Sequence, residues 1–104
     1  MSTLRPQGVP MIPNAALVHG KLLLIKSAQN NPGSIFEVQV DKSDDVSNLA
    51  NFAKSYIGKS IQVFVHPQLI HNLSIGDDVE LQVSYRGDER DGQFSLINDH
   101  AKKI

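Results

Sequence analysis

Cysteine is absent from all 104 residues. Disulfides, thiolate zinc sites and a cysteine nucleophile are therefore excluded, and the chain suits a reducing compartment, so a cytoplasmic location is expected. No apolar run approaches the roughly 20 residues that cross a bilayer as a helix. Residues 1–13 hold one arginine and three prolines but no apolar core, and do not read as a signal peptide. Neither sign of charge dominates: 10 lysines and arginines face 11 aspartates and glutamates, a formal net charge of −1. Affinity for a phosphate backbone comes largely from Lys and Arg. A chain this close to neutral binds nucleic acid tightly only by gathering its cations on one face.

Catalytic motifs are missing as well. There is no nucleophile elbow and no glycine loop that would cradle a phosphate. Asp77 and Asp78 are paired carboxylates in sequence, but neighbours on a strand point apart, so they read as a turn before the strand. Histidines stand at 19, 66, 71 and 100. His66 and His71 are separated by Pro67 and do not share a helical face, and no thiolate is at hand, so no metal site is expected. The reading is of a non-enzymatic chain with no cofactor.

What is present is alternation. Val79, Leu81, Val83 and Tyr85 fall on one face of an extended segment, with Glu80, Gln82, Ser84 and Arg86 on the other. A period of two predicts a half-buried strand. After the charged, glycine-bounded turn of residues 87–92 the pattern resumes with Phe94 and Leu96, so the two segments predict an antiparallel hairpin. Upstream, Ile61, Val63 and Val65 alternate with Gln62, Phe64 and His66, and Pro67, which has no amide to donate, ends that strand.

Residues 1–14 predict a flexible, proline-rich arm, residues 15–98 a single domain and residues 99–104 a tail. Residues 15–28 predict one long strand bent at Gly20, with a helix from Ala15 to Lys26 as the competing reading. A loop at residues 29–34 leads to a strand at residues 35–40, with Phe36, Val38 and Val40 on one face. A helix is then expected over residues 46–57, capped by Asp44 or Asp45 and stopped by Gly58. Its stripe is Val46, Leu49, Ala50, Ala53 and Ile57, with Phe52 and Tyr56 at the flank. Leu69, Ile70 and Leu73 form either a short helical turn or an ordered loop tucked under the sheet.

Five or so short strands, one helix and about 100 residues predict a mainly β fold, a small five-stranded barrel whose closure removes exposed edges. Residues 66–97 resemble the second half of an S1-type OB-fold. The likeness lies in a strand ending at Val65-His66, a short turn carrying a buried leucine within residues 69–73, and the Gly76-Asp77 step. It continues through the strand of residues 79–85, the charged turn of residues 88–91, and the closing strand at residues 94–96. The bent strand with Gly20 is similar to the first OB strand. The expected helix departs from the pattern, because OB-folds place theirs between the third and fourth strands. A further N-terminal strand, an insertion or another kind of barrel would each account for that.

The resemblance implies a single-stranded nucleic-acid partner, RNA or DNA, held by aromatics on the sheet face and cations along the backbone. Phe64 is the stacking candidate, with His66 beside it. The competing reading seats Phe64 under the helix of residues 46–57. Tyr85 shares a face with Val83 and reads as a rim or core residue first, a stacking residue second. Lys21, Lys26, Lys59, Arg86 and Arg90 are the candidate phosphate contacts, although Asp88, Glu89 and Asp91 make the turn around Arg86 and Arg90 self-neutralising. The alternative partner is protein: an interaction module or accessory subunit offering a sheet edge, the arm or the helix face.

Overall fold

The computed structural model describes residues 13–28, 32–69, 71–87 and 92–104. The fold is mainly β. Its strands are β1 (Ala16–Ser27), β2 (Ser34–Asp45), β3 (Ser60–Val65), β4 (Asp78–Arg86) and β5 (Gln93–Lys103). β1 pairs antiparallel with both β2 and β4, β2 with β3, and β4 with β5. β3 and β5 meet in parallel at Val63 opposite Phe94 and Phe64 opposite Ser95. Each strand thus has two neighbours, and the sheet returns on itself in the order β1-β2-β3-β5-β4. Among the described residues no helix is long and apolar enough to cross a membrane.

Alternation delivers one residue in two to the interior. Val18, Leu22, Phe36, Val38, Val40, Val63, Val79, Leu81 and Val83 are fully buried. Phe36 is the largest of them, and removing a buried aromatic of that size costs about 3–5 kcal/mol. β1 bends where expected. The register with β2 slips between His19 and Gly20, and a Cβ at Gly20 would stand 1.8 Å from the Gln39 carbonyl oxygen. Only glycine lets the two backbones come that close.

Three expectations are corrected. The first is the helix at residues 46–57, which does not form; the segment contains only a single 3₁₀ turn, Lys54–Tyr56. Ser47 adopts φ 51°, outside the helical region, and Ala50 bridges to Asn14 while its carbonyl accepts from the Ala15 amide at 3.0 Å. Asn51 supplies the local alternative: Ser43 Oγ donates to its Oδ1 at 2.9 Å, and its Nδ2 donates to Asp45 Oδ1 at 3.1 Å. That second bond, with Lys54 adding to it, holds the Asp45 carboxyl below its usual range. Short helices are marginal without tertiary support, and Ser and Asn side chains compete for backbone groups. Asp44 and Asp45 therefore end β2 rather than capping a helix. Of the expected stripe Ala53 is buried, whereas Leu49, Ile57 and the flanking Phe52 lie open to solvent.

The second correction concerns β2, which does not stop at Val40 but runs to Asp45, opposite residues 16–19 of β1. Its inward position there is Ser43, a polar residue that Asn51 satisfies. The third concerns residues 99–104, expected as a tail: β5 continues to Lys103 opposite Val79. Asn98 and Asp99, at φ 58° and 50°, kink the strand before it resumes.

Asn14, at the end of the expected arm, is tied in place. Its Nδ2 donates to the Tyr85 carbonyl at 2.9 Å and its Oδ1 accepts from the Tyr85 amide at 2.6 Å. Residues 1–12 of that arm lie outside the described residues, as do Ile70, residues 29–31 of the expected loop and the turn tip at 88–91. Leu69 and Leu73 pack on the core from a loop.

Candidate functional site

The strand pattern decides which side chains reach the outer surface of β1, β2 and β3. Ile61, Val63 and Val65 are buried, so Gln62 and Phe64 face outward. Phe64 lies opposite Ile35 on β2, and Ile35 lies opposite Lys26 on β1. With neighbouring strands about 4.8 Å apart, Lys26 is about 10 Å from Phe64 across the sheet. On the other side Phe64 meets Ser95, which lies opposite Ser84. The adjoining outward row is Leu24, Glu37 and Gln62, and the next is Lys21, Gln39 and Ser60. Leu24 is 40% exposed.

Phe64 is half-buried, and the cover is not a helix. Gly33, just before β2, lies against one edge of its ring: a Cβ there would stand 2.9 Å from the Phe64 Cζ. Gly33 has φ +116°, so both its backbone angle and this close approach call for glycine.

Most described cations are neutralised in place. Lys21 pairs with Asp78 at 3.8 Å, Lys42 with Asp44 at 3.5 Å, Lys54 with Asp45 at 3.4 Å, Lys102 with Glu80 at 3.5 Å and Lys103 with Asp77 at 3.7 Å. Among the described residues Lys26, Lys59 and Arg86 have no carboxylate within ion-pair distance, and all three are exposed. Lys26 shares the Phe64 row, Lys59 immediately precedes β3, and Arg86 ends β4 opposite Gln93. Arg90 lies outside the described residues.

The remaining candidates sit elsewhere. Tyr85 turns toward the interior rim, its ring 4.9 Å from Phe94 and 5.9 Å from Phe52. Tyr56 joins the same cluster 5.5 Å from Phe94. His66 is engaged with β5: its Nε2 donates to Asp99 Oδ1 at 2.5 Å, and that bond raises its pKa above the ordinary 6.5. The structure thus gathers Phe64 and Lys26, sets Lys21 and Lys59 at the margin, and directs Tyr85 and His66 to other contacts.

A second constellation escaped the sequence reading. Glu80 on β4 accepts from His19 Nε2 at Oε1, 2.7 Å away, and from His100 Nε2 at Oε2, 2.6 Å away. The His100 and His19 hydrogen bonds, in that order, draw the Glu80 pKa down to about 2. His19 Nδ1 is buried without a hydrogen-bond partner, and its nearest carboxylate oxygen is Asp44 Oδ2 at 3.8 Å. His19, Glu80 and Lys102 are cross-strand neighbours on β1, β4 and β5. The only signal for them is the register itself, which no local pattern discloses. Among the described residues no three His, Asp or Glu side chains are arranged to hold a metal ion. The Glu80 hub is a structural clasp over three strands.

Comparison with known protein families, curated proteins and solved structures yields no match to this chain.

Proposed function

We propose that the chain is a non-enzymatic, cytoplasmic OB-like barrel that binds single-stranded nucleic acid on the outer surface of β1, β2 and β3. The ring order, with β3 and β5 in parallel, suits a five-stranded Greek-key barrel, whose β2–β3 face is the usual place for such a ligand. Phe64 supplies a stacking surface there, with Lys26 in the same row. One observation carries the reading. Of the three described cations that lack a carboxylate partner, Lys26 shares the Phe64 row and Lys59 immediately precedes β3, while Arg86 ends β4 beyond this surface, two residues past the Ser84 that continues the row; the other described lysines are neutralised. The test is fluorescence anisotropy with labelled single strands of about 12 nucleotides. Binding is expected at low salt, with a log–log salt slope of about −2 for three phosphate contacts. No detectable binding at about 50 mM salt removes the reading.

A second reading, a protein-interaction module or accessory subunit, is favoured by a different surface. In the segment between β2 and β3, Phe52 is 39% and Ile57 47% exposed. Two large apolar side chains exposed within one short segment are the feature that favours it, since exposed apolar patches mark many interaction sites. Co-purification of a stoichiometric partner that Phe52→Ser and Ile57→Ser release would support it; a chain that stays alone in gel filtration and pull-down would not.

A further inference from the structure

We infer that the Phe64 surface selects bases that set an exocyclic amino group beside an acceptor ring nitrogen, cytosine and adenine, over thymine and uracil, with Glu37 and Gln62 as the selecting residues. The inference rests on the nucleic-acid reading above and deepens it. Glu37 on β2 and Gln62 on β3 are directly opposite one another. Both face outward, because Phe36 and Val38 flanking Glu37, and Ile61 and Val63 flanking Gln62, are buried. Ile35 and Phe64 are the next outward pair on the same two strands. Two residues of strand advance about 7 Å, so a base lying on the Phe64 ring brings an edge to the Glu37–Gln62 pair.

Among the described residues neither the Glu37 carboxylate nor the Gln62 amide is engaged in a hydrogen bond or an ion pair, and both are accessible. A carboxylate only accepts, whereas an amide can donate and accept. Cytosine N4 and adenine N6 donate, and a ring nitrogen beside each accepts. Glu37 and Gln62 together complement that donor–acceptor sequence. Thymine and uracil place the O4 carbonyl where the amino group would be, setting an acceptor against the Glu37 carboxylate. A carboxylate placed to receive the amino donor disfavours a base that sets a carbonyl oxygen at that position, even though N3–H beside it can still donate to Gln62.

The experiment compares labelled oligo(dC) and oligo(dT) of about 12 nucleotides at low salt, using the full chain and its Glu37→Gln variant. The full chain is expected to hold oligo(dC) about ten-fold more tightly. Glu37→Gln, whose amide can turn either group to the base, is expected to bring the two within about two-fold. Gln62→Ala should narrow the ratio in the same direction, and covers the case in which Glu37→Gln fails to fold. Equal affinity of the full chain for the two oligomers, or an unchanged ratio in both variants, overturns the selectivity while leaving strand binding in place. Failure of the full chain to bind either oligomer overturns the nucleic-acid reading and the selectivity with it.

Discussion

His19 and Glu80 meet across the β1–β4 pair that brings the N-terminal strand back to the hairpin, with Nε2 donating to Oε1 at 2.7 Å. His100 reaches the other carboxylate oxygen from β5, so one acidic side chain links three strands. It is 13% exposed, and hydrogen bonds to a charged group at so covered a position are among the stronger ones in proteins.

Glu80 therefore makes stability depend on acid in a definite window. In the unfolded chain it takes up a proton near its ordinary value of 4.5; in the fold it stays ionised to about 2. Between those values the unfolded state binds more protons, so stability falls as pH falls. Glu80→Gln, which keeps the shape but not the charge, should cost about 2 kcal/mol at neutral pH and flatten that acid limb. Urea titrations of both proteins from pH 6 to about 2 check it. Parallel acid limbs would remove Glu80 from the account.

His66 and Asp99 give the opposite sign. The folded imidazolium is favoured by the Asp99 hydrogen bond, so the stabilisation is complete below 6.5 and is lost as pH rises through the raised value. Asp99→Asn should return the His66 titration toward 6.5, read from its ring proton shifts by NMR. A His66 midpoint that does not move on this substitution would show that Asp99 is not the cause.

Gly20→Ala tests the close approach of β1 and β2. The new methyl would fall on the Gln39 carbonyl, 1.8 Å away, and neither strand can retreat without breaking the ladder. A loss of about 3 kcal/mol or more is expected in denaturant melts. A loss within about 0.5 kcal/mol, the range of an indifferent surface site, would mean the strands separate freely there.

Ligand binding and stability should separate at Phe64. Phe64→Ala removes a half-buried ring and should cost about 1 kcal/mol of stability while abolishing oligonucleotide binding. Lys26→Ala, Lys59→Ala and Arg86→Ala should each leave stability nearly unchanged and make the salt slope shallower by about 0.7. Slopes equal to that of the parent chain would place the phosphates elsewhere.

The strands were legible where apolar alternation is local. Val79, Leu81 and Val83 mark β4, Ile61 to Val65 mark β3 with Pro67 as its stop, and Gly20 marks the bend in β1. Alternation fades where a strand passes a polar inward position or a kink, so the far halves of β2 and β5 were hidden by Ser43 and by Asn98-Asp99. The stripe from Val46 to Ile57 misled because spacing cannot show that Asn51 will bond to Ser43 and Asp45. Of the site, the outward turn of Phe64 follows from its buried neighbours. Its alignment with Lys26 needs the register of three strands, and the Glu80 hub needs two more pairings that no single segment encodes.

The parallel contact of β3 with β5 is confined to Val63 opposite Phe94 and Phe64 opposite Ser95, whereas β1 and β4 pair from Ala16 to Lys21. The β1–β2–β3 meander and the β4–β5 hairpin can each assemble from near neighbours, and uniting them requires distant segments to find one another at a loop-closure cost. Amide exchange should accordingly be faster at this narrow junction than along β1–β4. Uniform protection around the ring would contradict that order. A molecule joined so sparingly at one place has a natural point of breathing, and it lies directly beneath the aromatic ring on which a ligand would rest.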